Sequence, residues 1–185
     1  VYGAVAGQTQ SPAVELGSAP GEPGKTRALP LASVSALAGL LEHLDEEVGN
    51  REDLYKLADD LRMEIDELLP VVEAGEILGF LQVDQGDACL TPLGETFAEA
   101  SILARKEIFA TRLRRVPLIR WILKGLRAAP GHRVDRDFFQ DILEWEFRPD
   151  EAEQQLDQAI AWGRYGELFG YDDDNDQLFL EPQQS

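Results

Sequence analysis

Residues 53–90 carry the pattern of two helices followed directly by a β-hairpin, and this run constrains the fold more than any other feature of the chain. Apolar residues recur at helical spacing over 54–61 and again over 64–78. Two short apolar stretches follow at 80–83 and 88–90, and the residues between them, Asp-Gln-Gly-Asp, are typical of a hairpin turn. The run therefore predicts a mostly α-helical chain with small β-hairpins, an α+β fold class.

The same order of elements recurs near the end of the chain. Apolar-periodic segments at 118–128, 138–143 and 150–162 predict three more helices. An acidic turn at 172–176 then separates two further apolar stretches. Because winged-helix domains have this order of helices and hairpin, we predict two winged-helix units in tandem. The predicted organisation is a flexible linker at 1–32, a first winged-helix unit at 33–103, a basic helical connector at 104–116 and a second, winged-helix-like unit at 117–182.

The second helix of the first unit, 64–78, is acidic and contains no lysine or arginine. Its acidic residues are Glu64, Asp66, Glu67, Glu73 and Glu76. DNA affinity comes mainly from lysine and arginine side chains that release counterions from the phosphate backbone, so this helix is expected to repel nucleic acid. We expect no nucleic-acid partner and predict that the acidic helix docks on protein.

Positive charge is concentrated in one segment of a strongly acidic chain. The net charge is −18, from 17 basic and 35 acidic residues, yet residues 104–136 hold 10 basic and 2 acidic residues. The candidate interaction residues in this segment are Arg105, Arg112, Arg114, Arg115, Arg120 and Lys124. Three interpretations compete: neutralisation of the acidic units within the chain, docking on a partner, and binding of nucleic acid or anionic lipid.

Short motifs that imitate catalytic or binding sites lack the context those sites need. Residues 19–26 resemble a phosphate-binding loop, but Pro20, Pro23 and Pro30 exclude the strand and helix that such a loop requires. Residues 172–176 imitate the start of a calcium-binding loop that lacks its glycine and its bidentate glutamate.

The imidazoles and the thiol of the chain are too few and too far apart in sequence to indicate a metal or catalytic site. His43, His132 and the single Cys89 have no zinc-ligand spacing, and no motif places a nucleophile beside a base. We therefore predict no catalytic, cofactor-binding or metal-binding residues and no enzymatic activity for these 185 residues.

Several long strings resemble the AAA-associated C-terminal domain, which is appended to ATP-binding subunits of bacterial ABC transporters of the nitrate/sulfonate/bicarbonate type. The strings are DLYKLADDL at 53–61, EIDELLP at 64–70, LTPLGETFAEA at 90–100, RKEIF at 105–109 and AWGRY at 161–165. The resemblance covers about residues 29–181. It implies that residues 1–3 are the tail of an upstream ATPase domain and that the nucleotide-binding motifs lie upstream.

The resemblance and the charge pattern together lead to one favoured hypothesis about function. We expect a non-catalytic accessory domain, cytoplasmic and peripheral to the inner membrane, that regulates an ABC ATPase through protein contacts. The expected partners are the ATPase domain of the same subunit and permease subunits, with self-association left open and no insertion into the membrane. The alternatives are a DNA-binding winged-helix regulator and a sensor of a small ligand.

Overall fold

The computed structural model describes residues 14–46 and 48–182, which form two similar units of helices and short strands. The elements of the first unit are α1 (Val34–Glu46), β1 (Arg51–Asp53), α2 (Leu54–Leu61), α3 (Ile65–Leu78), β2 (Leu81–Asp84), β3 (Asp87–Leu90) and α4 (Pro92–Glu99). Helix α5 (Ile102–Leu113) follows. The elements of the second unit are α6 (Pro117–Ala128), β4 (Arg133–Asp135), α7 (Arg136–Leu143), α8 (Pro149–Tyr165), β5 (Gly170–Asp172) and β6 (Gln177–Phe179).

Each unit contains one three-stranded antiparallel sheet, and the two sheets have equivalent connections. The strand order is β1-β3-β2 in the first unit and β4-β6-β5 in the second. In both sheets the strand between the first two helices of the unit pairs with the last strand of the hairpin, with Glu52 opposite Ala88 and Val134 opposite Leu178. The α+β class is confirmed, whereas the name winged helix for each unit stays our interpretation of the element order.

Local sequence signals explain where the helices of the first unit begin. The carboxylate of Asp53 accepts the backbone N–H groups of Tyr55 and Lys56 at the start of α2. The hydroxyl of Thr91 accepts the N–H of Gly94 at the start of α4 and donates to the carbonyl of Gly79. These caps satisfy donors that the first turn of a helix leaves free, and the Thr91 hydroxyl also ties α4 to the end of α3.

The buried apolar side chains of both units belong to one continuous core, and α5 is part of it. Phe109 of α5 is fully buried and packs edge-on against Trp162 and Tyr165 of α8, with ring centroids 6.0 and 5.0 Å away. The predicted connector at 104–116 thus overlaps a helix that begins at Ile102 and is packed between the two units. None of the described helices is long and apolar enough to cross a membrane.

The segment that precedes α1 differs from the flexible linker predicted for 1–32. Residues 1–13, which include the predicted ATPase tail, lie outside the described residues. Residues 14–32 contain no helix or strand, but Leu29 and Ala32 are only 4% and 5% exposed and join the core. Apolar periodicity gave no sign of this packing because single residues, and not a repeating face, make the contacts.

Candidate functional site

Part of the predicted basic segment is neutralised within the chain. Four of its ten basic side chains form ion pairs with carboxylates of other elements. The pairs, with their N–O distances, are Arg105–Glu42 at 2.6 Å, Lys106–Glu167 at 3.6 Å, Arg133–Asp172 at 3.2 Å and Arg136–Asp157 at 2.6 Å. Neutralisation within the chain therefore accounts for some of this positive charge, and the rest needs another explanation.

Arg112 has a structural role at the end of α3. Its Nε donates to the carbonyl of Leu78 over 2.7 Å, and its guanidinium lies against Gly79. A cation at the C-terminus of a helix is favoured by the partial negative charge of the last carbonyls. Burial lowers the pKa of Arg112, and the neighbouring charge of Arg115 lowers it further. The predicted interaction residue Arg112 is thus partly buried and bound to the end of α3.

Five basic side chains of residues 104–136 are exposed and have no ion pair with any described residue; we call them the basic surface. They are Arg114, Arg115, Arg120, Lys124 and Arg127. Three of them follow one another at positions i, i+4 and i+7 of α6, so they share the face opposite its buried apolar residues. Arg114 and Arg115 precede this helix at its corner with α5.

A cleft of about 1120 Å³ adjoins the basic surface; we call it the basic cleft. Arg114, Arg127 and Arg164 line it, and the carboxylates of Glu167 and Glu181 lie at it as well. Its buried lining residues are Leu123, Leu168 and Phe169. An arginine-lined cleft with an apolar floor is suited to a partner that presents carboxylates together with apolar groups.

The acidic residues predicted on α3 do not pair with the basic segment within the described part of the chain. Glu67 accepts the backbone N–H of Glu64 at the start of the helix, over 3.1 Å. Glu73 pairs with Arg27, at 2.9 Å, instead of with the connector. Asp66 is exposed. The acidic helix therefore keeps an exposed face at its start.

Glu76 is the one acidic residue of α3 that lines the same pocket as two residues of the basic segment. This pocket has a volume of about 280 Å³, and Arg112 and Arg115 also line it. The pKa of Glu76 is raised, mainly by burial. The charge of Glu73 raises this pKa further, and the charge of Arg27 partly offsets the rise. Glu76 therefore belongs to the packed end of α3 and not to its exposed face.

The structure also assembles a polar cluster that the sequence did not reveal. Strand β1 carries Glu52, which is 5% exposed, and its carboxylate lies 2.9 Å from Nε2 of His43 and 2.9 Å from Nζ of Lys56. Asp60 of α2 lies 3.4 Å from the same imidazole nitrogen. No local sequence signal indicated this cluster, because residues 51–53 are all charged and the contacts come from three separate elements.

The side chains of this cluster are close enough together to bind a metal ion, but Lys56 already neutralises the carboxylate of Glu52. The ligand atoms of His43, Glu52 and Asp60 lie within 4.8 Å of one another, and so do those of Asp45, Glu95 and Glu99. Lys56 contacts the carboxylate of Glu52 that a cation would use. We therefore describe the first cluster as a polar cluster built around the Glu52–Lys56 ion pair.

The two segments that resemble a calcium-binding loop and a phosphate-binding loop lack the structural context of such sites. Residues 172–176 span the end of β5 and the turn before β6, and the carboxylate of Asp172 accepts the backbone N–H groups of Asp174 and Asn175 there. Residues 19–26 have neither a strand before them nor a helix directly after them within the described segment.

Comparison with known proteins gives one family. Residues 55–172 match the model of the C-terminal AAA-associated domain. No curated protein and no solved structure matches the chain significantly. The matched region begins in α2 and ends with β5, so it contains α5 and the whole basic surface.

Proposed function

Because the chain belongs to the C-terminal AAA-associated domain family, we propose that it is a non-catalytic docking and regulatory domain of an ABC transporter ATPase subunit. The resemblance in the sequence supports a transporter of the nitrate/sulfonate/bicarbonate type. In this proposal the domain works in the cytoplasm at the inner membrane. It contacts the ATPase domain of its own subunit or the cytoplasmic loops of a permease.

The observation that carries the proposal is the basic surface, which stays without ion pairs among the described residues of a chain with a net charge of −18. Carboxylates outnumber basic side chains about twofold, 35 to 17, so an unpaired group of five basic side chains stands out. Charged surfaces of one sign steer partners of the opposite sign and select among them. The expected partner surface is acidic and has apolar residues at its centre, which would enter the basic cleft.

The exposed start of α3 is a second docking surface of opposite sign. Glu64, Asp66 and Glu67 lie there on the first unit, whereas the basic surface lies on α6 and its corner with α5. A domain with two such surfaces can hold two partners, or two parts of one partner, in a defined relation. The same two surfaces could also join two copies of the chain, with the acidic surface of one copy against the basic surface of the other.

A charge-reversal experiment on the full ATPase subunit tests the basic surface. Arg120→Glu with Lys124→Glu should weaken cross-linking to the partner by about tenfold or more, since opposite charges become like charges. The matched control, Lys25→Glu with Arg62→Glu, changes the net charge equally at two exposed positions elsewhere. Equal cross-linking and equal ATPase activity for both variants and the unaltered subunit would refute docking through this surface.

The basic cleft favours a second candidate function, the sensing of a small anionic ligand. Arg114, Arg127 and Arg164 can bind carboxylate, phosphate or sulfate groups in pairs of hydrogen bonds. A ligand that binds only the folded state raises the melting temperature by mass action. A panel of oxyanions at constant ionic strength should raise it for the unaltered chain and not for Arg164→Gln. If no oxyanion raises the melting temperature, ligand sensing is refuted, and the proposal of docking on a protein partner is unaffected.

A further inference from the structure

Helix α8 recognises the backbone of the segment that precedes the first unit. The carboxamide of Gln155, which is 6% exposed, contacts both backbone groups of Leu29. Its oxygen accepts the N–H of Leu29, and its Nε2 donates to the carbonyl of Leu29 over 3.0 Å. A neighbouring β-strand would make the same pair of bonds, so the contact does not depend on the side chain at this position.

A second backbone group is held three residues further along. The carbonyl of Ala32 accepts from Nε2 of Gln158 at 2.9 Å and from the indole Nε1 of Trp162 at 3.0 Å. Gln155, Gln158 and Trp162 are spaced by three and four residues, so they lie on one face of α8. This face forms a groove for an extended peptide, and residues 29–32 occupy it.

The other end of the segment contacts both units. Arg27 pairs with Glu73 of α3 in the first unit at 2.9 Å, and the backbone N–H of Thr26 donates to Glu146, which lies between α7 and α8 of the second unit, at 3.0 Å. Both contacts are partly exposed, so salt and solvent weaken them. We call residues 26–32 the strap, because they cross from α3 of the first unit to α8 of the second.

We propose that the strap is a latch: an extended peptide that binds the α8 groove through its backbone and leaves it while both units stay folded. No residue of the strap belongs to a helix or sheet, so its release breaks no element of either unit. Release leaves the buried amide of Gln155 and the indole N–H of Trp162 without the strap carbonyls, and this favours recapture.

Because the strap contacts both units, a pull on the residues before position 26 would change how the first unit is held against the second. The hydrogen bonds of the groove select an extended backbone, as sheet edges do when they bind peptides, and the burial of Leu29 and Ala32 favours apolar side chains at those two positions. This inference goes beyond the proposed function and uses no residue of the basic surface.

Hydrogen exchange on the intact 185-residue chain tests the latch. The amide of Leu29 should exchange at least about tenfold faster than the amides of Ala159 and Ile160 in α8, with a weaker dependence on urea concentration, because local opening exposes only the strap and its contact surface, including Leu29 and Ala32, and not the rest of the core. If Leu29 exchanges only at the rate and with the urea dependence of α8, the strap opens by global unfolding and the latch is wrong. This comparison in the unaltered chain decides the question without any variant.

A pair of variants then assigns the latch to the groove. Gln155→Met keeps the side-chain volume but removes both bonds to Leu29, so exchange at Leu29 and tryptic cleavage after Arg27 should rise by about tenfold. Gln154→Met alters the adjacent exposed glutamine and should change neither rate. Equal rates in the two variants would show that Gln155 does not hold the strap.

Discussion

The buried carboxylate of Glu52 and the imidazole Nε2 of His43 lie 2.9 Å apart, at the point where β1 passes α1. Lys56 contacts the other carboxylate oxygen, also at 2.9 Å. Burial by itself would raise the pKa of Glu52, but its hydrogen bonds with Lys56, Asp60 and His43 outweigh burial and lower that pKa below its ordinary value of 4.5. A charged glutamate is thereby built into the core of the first unit.

We predict that this carboxylate makes the fold sensitive to acid. Because the pKa of Glu52 is lower in the folded state, its contribution to stability is present above the ordinary pKa and is lost as the pH falls through the lowered value. Glu52→Gln should cost about 1–3 kcal/mol at neutral pH, since charge-assisted bonds are removed. It should also flatten the loss of stability below about pH 4.5. Urea unfolding across this pH range measures both effects, and Asp59→Asn, an exposed carboxylate of α2, should show neither.

We predict the opposite sign for Glu99, whose pKa is raised mainly by the charge of Asp45. A carboxyl group with a raised pKa in the folded state disfavours folding once it is ionised, so the penalty exists above that pKa and vanishes below the ordinary value of 4.5. Glu99→Gln should therefore raise the melting temperature at neutral pH and leave it unchanged at about pH 3. A drop at neutral pH would show that Glu99 makes a favourable contact instead.

We predict that Gly94 cannot be replaced by alanine without loss of stability. A Cβ at this position of α4 would lie 1.9 Å from the backbone carbonyl oxygen of Phe80, which cannot move aside as a side chain can. Gly94→Ala should cost about 1–3 kcal/mol or more in urea unfolding. Gly39→Ala is the matched control, because a Cβ there meets nothing within 4 Å. It should stabilise α1 by about 0.5–1 kcal/mol, and equal effects of the two substitutions would refute the close approach at Gly94.

We predict that α5 contributes to the stability of both units. Phe109→Ala removes a fully buried ring from the contact with Trp162 and Tyr165, so it should cost about 3–5 kcal/mol in the free energy of unfolding. Ile102→Ala, at a residue 78% exposed on the same helix, should change the stability by less than about 0.5 kcal/mol. If both substitutions change the free energy of unfolding by less than about 0.5 kcal/mol, α5 does not stabilise the two units and the prediction is wrong.

Local sequence patterns predicted the long elements well. Apolar spacing predicts the second helix at 64–78 and the structure has it at Ile65–Leu78, with its hairpin directly after it. Thr91 and Pro92 open α4 as their capping chemistry predicts. The strands β1 and β4 could not be predicted in the same way. Each has three residues and exists through pairing with a strand far along the chain.

The candidate site was predictable as a segment but not residue by residue. The sequence places ten basic side chains in 104–136, and nothing local distinguishes Arg105 from Arg120. Arg105 meets Glu42, 63 positions earlier, because α1 and α5 both pack on α4. Arg120 lies on the outer face of α6. Neutralisation of the acidic units within the chain, one of the three interpretations of the basic segment, likewise had no support in the sequence beyond opposite charge.

The sequence by itself determined the helical segments, the repeated order of elements and the separation of acidic from basic stretches, because periodicity and charge are properties of neighbours along the chain. The tertiary structure alone decided which basic side chains remain without ion pairs, where Glu52 is buried and that Leu29 and Ala32 bind α8. These features depend on distances between residues up to 130 positions apart, such as Trp162 and Ala32, and only packing brings such residues together.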